Sequence, residues 1–456
     1  MDSDLDSLPL PQRRFLEFAE RNPDCRDLDS FGLRIDELTP YAMQPWPFFI
    51  GRRQLAGLSA TCIGVCNLMR AIPQRVFGGD PARLSDYFDM PLEAAALTVS
   101  LIEKTGLDGT VARGDFVLTE TGLKTCEINM AACLGGAEGG EWTRRALEVP
   151  VLRRFLDESG FRINARDPVR TTFEHLVEEA ERHDMVVDGE LNMALSFDHP
   201  THAGWRAYYE ESYQEVLARH PGLRGRLVIC PESELREKDG ALLHGDLPIR
   251  MLLDTQSGFL SLPIFSTLLS GKARAYNGPA TPFLSHKSTL ALLSETEGSS
   301  FWSEEERAVI RTSIPWTRRV TDDFVDHQGE RVYLPDLLDA ERDRMVLKLG
   351  LSRQGTDVHA GRFTPPDRWD ALVRGALEQG GWIVQEFLQC PRWPFLSPDG
   401  EVVPHDSVWG MFIFGNRFGG GFLRVLPAGR AGVINTLRGA RPSLVLEVAE
   451  PEDETE

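Results

Sequence analysis

No uninterrupted apolar run in this 456-residue chain approaches the ~20 residues that cross a bilayer. The opening, MDSDLDSLPLPQRR, is acidic where a secretory signal would be basic and then apolar. Together these features predict a cytoplasmic protein. Basic charge is also scarce: 49 Lys and Arg stand against 69 Asp and Glu, a formal charge of −20, which disfavours broad contact with nucleic acid or an anionic membrane but leaves room for a local basic pocket. Cysteine is sparse and odd in number, seven in all, which argues against a disulfide framework. Cys62 and Cys66 lie four apart on a predicted helix, but no second Cys or His pair nearby completes a zinc pattern, so they read as small buried apolar residues. There is no internal repeat.

What is present belongs to an ordinary globular chain, 42% apolar and 26% charged, with a length that suggests two or three packed units. Residues 10–107 carry mainly helical patterns, interrupted by the proline-rich Tyr41–Phe49 and by GGDP at Gly78–Pro81. A short hairpin and a glycine-rich turn, Leu134–Trp142, come next. From there to about Leu253 helices alternate with short apolar strands, which predicts a small α/β layer of the kind that holds ligands at its strand ends. Beyond about Pro263, helices KSTLALLSE and EEERAVIRTSI precede the strand-like pieces RMVLKLG, GWIVQEFL, SVWGMFIFG, GGFLRVL and AGVINTL, which imply an antiparallel or mixed sheet. The expected division is 1–107, mainly helical; 108–262, hairpin plus α/β layer; 263–445, a second sheet region; and 446–456, an acidic disordered tail. The fold class is α/β in the broad α+β sense.

The hairpin, RGDFVLTETGLKTCEIN from Arg113 to Asn129, bears the chemistry. Asp115 is two residues from Arg113, and Asn129 two from Glu127, so each pair shares one face of its strand. If Glu120–Gly122 closes the turn, the pairs meet across the hairpin. Asp115, Glu127 and Asn129 then offer oxygen ligands to a hard cation such as Mg²⁺, and the planar fork of Arg113 suits a phosphate on that cation. The same residues also fit a surface salt bridge with polar decoration. Asp198, His199 and His202, after a predicted strand, face a similar choice between a ligand site and a capped loop.

Arg-x-Asp, a hairpin, then Glu-x-Asn, with Glu138 following in the glycine-rich turn, resembles the metal-binding segment of the glutathionylspermidine synthase family and its relatives, the circularly permuted ATP-grasp ligases. Later stretches resemble the family in its own order, which places the acidic ligands ahead of the nucleotide lysines. The resemblance implies an ATP-grasp fold in permuted order, with residues 263–445 as its nucleotide-binding region and lid beside the small α/β layer, and with ATP and Mg²⁺ as cofactors. Lys287 in FLSHKSTLALLSE and Lys348 in VLKLGLSRQGTDVHAG would reach the phosphates, and the loop through Arg353, Gln354 and Gly355 would close over them. Backbone groups of Gln385, Glu386, Phe387 and Leu388 would read the adenine edge. Arg113 and Arg424 would act in catalysis, with Asn435 following them. The implied reaction is ADP-forming amide or peptide bond formation between a small-molecule or peptide carboxylate and an amine acceptor, through an acyl phosphate. A phosphotransferase, or a catalytically silent nucleotide-binding partner, is the alternative on the same scaffold, and a homodimer is left open. Departures exist: Asn129-Met130-Ala131-Ala132 lacks the family's acidic follower, Ser352-Arg353-Gln354 replaces its usual loop, and the N-terminal hundred residues match nothing.

Overall fold

The computed structural model describes residues 7–27, 41–130, 135–197, 203–254, 261–277, 281–352, 356–397, 399–430 and 433–449. Arg353, Gln354, Gly355, Asp198, His199, His202, Ala131, Ala132 and residues 450–456 lie outside them, whereas 446–449, expected to begin the disordered tail, complete the strand Arg441–Ala449, where Leu446 and Val448 are buried.

The central element is an eight-stranded sheet. Its main path runs Phe48–Gly51, Arg441–Ala449, Arg417–Pro427, Val402–Phe414, Val111–Thr119 and Gly122–Asn129, with Trp393–Leu396 on the Val402–Phe414 strand and Arg162–Asn164 on Arg441–Ala449. Val402–Phe414 is buried on both faces from Ser407 onward and free of polar side chains from Val408, because both faces are covered. The long helix Arg52–Arg75 covers one, with Cys62 Sγ 3.2 Å from Met411 Sδ. Helix Pro168–Arg182 covers the other, where Phe412, Phe414 and Phe422 join Val169, Phe173 and Val177 in one core. Arg52–Arg75 is long and apolar enough to cross a membrane by length and composition. Here Cys62, Val65, Cys66 and Met69 are packed in the protein core, which explains the apolar composition of the helix.

The expected α/β layer is present as four parallel strands in the order Arg274–Tyr276, Met251–Asp254, Met193–Ser196 and Leu227–Cys230, and it extends past the expected boundary at 262 because Arg274–Tyr276 pairs with Met251–Asp254. A third, antiparallel sheet runs Thr317–Arg319, Trp382–Glu386, Met345–Leu349 and Val358–Ala360, backed by helix Pro366–Gln379. Two local readings change. The proline-rich break contains a strand, Phe48–Gly51, parallel to Arg441–Ala449, because Phe48 fits into an aromatic nest with Trp393 and Trp409. AGVINTL forms no strand among its described residues: the Asn435 side chain accepts the Leu437 N–H at 2.9 Å and caps the 3₁₀ turn Thr436–Arg438.

One buried arginine ties these parts together. Arg70, on the Arg52–Arg75 helix, donates from Nη2 to the Thr110 carbonyl at 3.0 Å and to the Gly415 carbonyl at 2.9 Å. Thr110 leads into the hairpin, and Gly415 turns Val402–Phe414 into Arg417–Pro427 with φ +55, where a Cβ would sit 3.0 Å from Asp108 O and from His175 Cε1. Arg70→Met removes the shared donor from two carbonyls and should lower stability by about 1–3 kcal/mol. A chemical-denaturation midpoint unchanged by that substitution would show that the clamp is dispensable.

Candidate functional site

The hairpin register brings the polar pairs together as the period-two reading expects. Asp115 stands opposite Glu127, and Arg113 opposite Asn129. Between Asp115 and Phe116 the register slips by one, so Cys126 is an extra, bulged residue. Gly122, at φ +110, closes the turn against Thr119.

Asp115 is buried between two arginines. Arg113 Nε lies 3.2 Å from Oδ1, and an Arg424 guanidinium nitrogen lies 2.7 Å from Oδ2. Burial by itself would push the Asp115 carboxyl up, but the Arg113 charge, and then that of Arg424, hold it down to about 2. Its carboxyl also comes within hydrogen-bonding reach of Glu127. Asn129 Nδ2 donates to Glu127 Oε1 at 3.3 Å, and Arg113 Nη1 donates to the Gly135 carbonyl at 3.0 Å. Two facing carboxyl groups with an amide oxygen beside them form the oxygen-rich donor set that a hard divalent cation takes. Such a cation would relieve the repulsion between the two carboxylates. Arg424 Nε is buried with no partner among the described residues, so this guanidinium retains an unused donor beside the cluster.

Both lysines converge on the same place. Lys287, immediately before helix Ser288–Glu295, points its Nζ at the Ser352 carbonyl, 2.9 Å away, and lies 3.6 Å from Glu127 Oε2. Lys348 is buried in its strand and donates to Gln385 Oε1 at 2.6 Å and to the carbonyl of the bulged Cys126 at 3.0 Å. Burial pulls the Lys348 ammonium down, and the Lys287 charge adds to that, while Cys126 and Glu127 oppose it. His286, beside Lys287, is pushed down to about 4 by burial and by the lysine charge, so it is neutral near pH 7. Gly350 is a close-approach glycine: a Cβ there would lie 2.2 Å from the His286 ring.

The expected hinge divides its roles. Gln385 contributes through its buried side chain, which holds Lys348 and donates from Nε2 to Thr317 Oγ1 at 3.1 Å. The N–H groups of Glu386 and Phe387 are already given to the carbonyls of Trp316 and Arg344, at 2.9 and 2.7 Å. Leu388 lies beyond the strand end. Phe387 instead joins Val433 beside Val346, Val358 and Ala360 in a small apolar cluster. The strand register puts Val346, Val358 and Ala360 on the same sheet face as Lys348, so that face offers an apolar shelf and a cation together. Glu138 stands apart from these contacts: it accepts from Trp205 Nε1 at 2.6 Å, and burial pushes its carboxyl up to about 7.

The oxygens of Cys126 and Ser352 and the shelf around Val346 had no individual signal in the sequence. A bulge creates the first contact, and chain segments far apart create the others.

The chain matches no protein-family model and no curated protein. Among solved structures it is similar to a glutathione synthetase-like effector of Globodera pallida in its apo form, at 12% identity over 92% of this chain and 96% of that one, with a TM-score of 0.56. At that identity the likeness is one of fold. D-alanyl-alanine synthetase A of Vibrio cholerae O1 also aligns, at 11% identity over 58% of this chain and 90% of that one, but with a TM-score of 0.29 the overlap is too loose to weigh.

Proposed function

We propose that this chain is an ATP-dependent, ADP-forming carboxylate–amine ligase, built as an ATP-grasp enzyme whose metal-ligand strands precede its nucleotide strands. One observation carries the reading: the Asp115/Glu127/Asn129 oxygen cluster, flanked by Arg113 and Arg424, meets Lys287 through Glu127 at 3.6 Å and lies on the hairpin whose bulge binds Lys348. Anionic ligands and a divalent cation are what that charge pattern is suited to hold.

In this reading the apolar shelf of Val346, Val358 and Ala360 takes the adenine. Lys348 and Lys287 hold the phosphates, and the Gln385 side chain keeps Lys348 pointed at them. Asp115, Glu127 and Asn129 would hold Mg²⁺, which would supply charge neutralisation for the phosphates. Arg113 and Arg424 face the transferring phosphoryl group. A substrate carboxylate oxygen attacks the γ-phosphorus, the bond to the β-bridging oxygen breaks, and ADP leaves. An amine then attacks the acyl carbon, phosphate departs, and the amine proton passes to water or phosphate. The protein's share is positioning and electrostatic stabilisation, the main contributions to phosphoryl transfer.

A hydroxylamine trap tests this. The protein is incubated with ATP, Mg²⁺ and pooled amino acids, short peptides and organic acids, and the products are searched by mass spectrometry. A hydroxamate formed with matching ADP, and lost in the partly exposed Glu127→Gln variant, is the expected result. A stable phosphorylated acid in its place would assign a phosphotransferase. An ATP analogue that binds with Mg²⁺ while no substrate pool yields ADP would favour a silent nucleotide binder.

A further inference from the structure

Cys230, Glu234 and His244 lie outside the site described above. Cys230 ends the parallel strand Leu227–Cys230, and a 3₁₀ turn, Glu232–Glu234, then leads into a three-stranded sheet of Leu235–Lys238, Ala241–His244 and Leu247–Ile249. In that sheet Leu235 pairs with His244, which sets His244 beside the preceding Glu234. The turn brings both back to the end of the parallel strand. The Cys230 sulfur, a Glu234 carboxylate oxygen and a His244 ring nitrogen all lie within 4.8 Å of one another.

The geometry points to a site for a zinc-class divalent transition metal, which we propose is held by Cys230 Sγ, Glu234 and His244, with water completing the coordination. Glu234 Oε2 and His244 Nε2 are 3.2 Å apart. Two donors ~2.0–2.1 Å from a tetrahedral ion stand about 3.3 Å from one another, so this pair is already spaced as two ligands. The donor set selects the metal class: a thiol and an imidazole favour zinc, cobalt or nickel over magnesium and calcium, which take oxygen. Access fits as well. The side chains of Glu234 and His244 are 54% and 34% exposed, whereas Cys230 is 3% exposed and forms the inner wall. Arg206, the cation near the thiol, is engaged with the Ile229 carbonyl at 2.7 Å. A bound ion would clip the three-stranded sheet to the end of the parallel strand, independently of the nucleotide chemistry.

The test uses the full chain, reduced and stripped of metal, titrated with Co²⁺ alone and then Zn²⁺ alone. One equivalent of Co²⁺ should give a thiolate-to-cobalt charge-transfer band that one equivalent of Zn²⁺ removes. Cys230→Ser should abolish the band. His244→Ala, at a half-buried position, and Glu234→Gln, at an exposed one, each with its fold checked by circular dichroism, should each weaken Zn²⁺ by more than the ~10–100-fold typical of losing an outer-shell partner. Glu127→Gln should leave the band unchanged, which separates this site from the oxygen cluster of the hairpin. No band in the parent protein, a band that survives Cys230→Ser, or Zn²⁺ affinity unaffected by His244→Ala would each overturn the proposal.

Discussion

Asp115→Asn should be the most damaging single change at the site, lowering ADP formation by ~10²–10³ and destabilising the fold as well. Arg113 and Arg424, whose side chains are only 16% and 12% exposed, would lose the carboxylate they share. Removing one partner of a buried pair costs about 3–5 kcal/mol, and partial exposure puts this case toward the lower end. The pH dependence gives an independent check. The carboxyl sits at about 2 in the folded protein, against about 3.9 in an unfolded chain. A depressed carboxyl stabilises above its unfolded value and loses that contribution as pH falls, so about 2–3 kcal/mol should disappear between roughly pH 4 and pH 2. Urea denaturation of parent and variant across this range should show the parent losing that increment and the variant lacking it. A parent and variant with the same acid profile would mean that Asp115 is not the depressed group.

Lys348→Met separates binding from stability in the opposite way. A charge-assisted hydrogen bond contributes ~1.5–3 kcal/mol, so losing it should weaken an ATP analogue roughly 10–100-fold. Stability should shift by less than ~1 kcal/mol. Burying the ammonium is unfavourable, as its downward shift reflects, and an apolar side chain of similar length offsets the bonds lost at Gln385 and Cys126. Calorimetric titration of a non-hydrolysable analogue, with a thermal melt of the same sample, measures both. Unchanged affinity with an unchanged melt would remove Lys348 from the nucleotide site.

The polar hairpin was legible because its information is local. Strand periodicity puts Arg113 with Asp115 and Glu127 with Asn129, and a tight turn can pair them only across a short ladder. Gln385 was harder to read. Its position on a strand was visible, but the role of its side chain depends on Lys348, 37 residues away in sequence and adjacent in the sheet. Phe48–Gly51 was hidden in a proline-rich stretch because its partner strand lies near the other end of the chain. Cys230, Glu234 and His244 gave no signal, since their proximity follows from a turn followed by a hairpin whose register no spacing rule dictates.

By itself, then, the sequence determined the elements that short-range physics controls: the hairpin and the faces of its charges, the helices KSTLALLSE and EEERAVIRTSI, and the alternation of helices and strands in the α/β layer before them. The tertiary structure alone decided that Arg424 closes on Asp115, that Lys348 reaches the carbonyl of a bulged cysteine 222 residues away, and that Lys287 meets Glu127. Those contacts join strands and loops from distant parts of the chain. Packing of the covered sheet sets their distances, and no local periodicity records which strand will lie beside which.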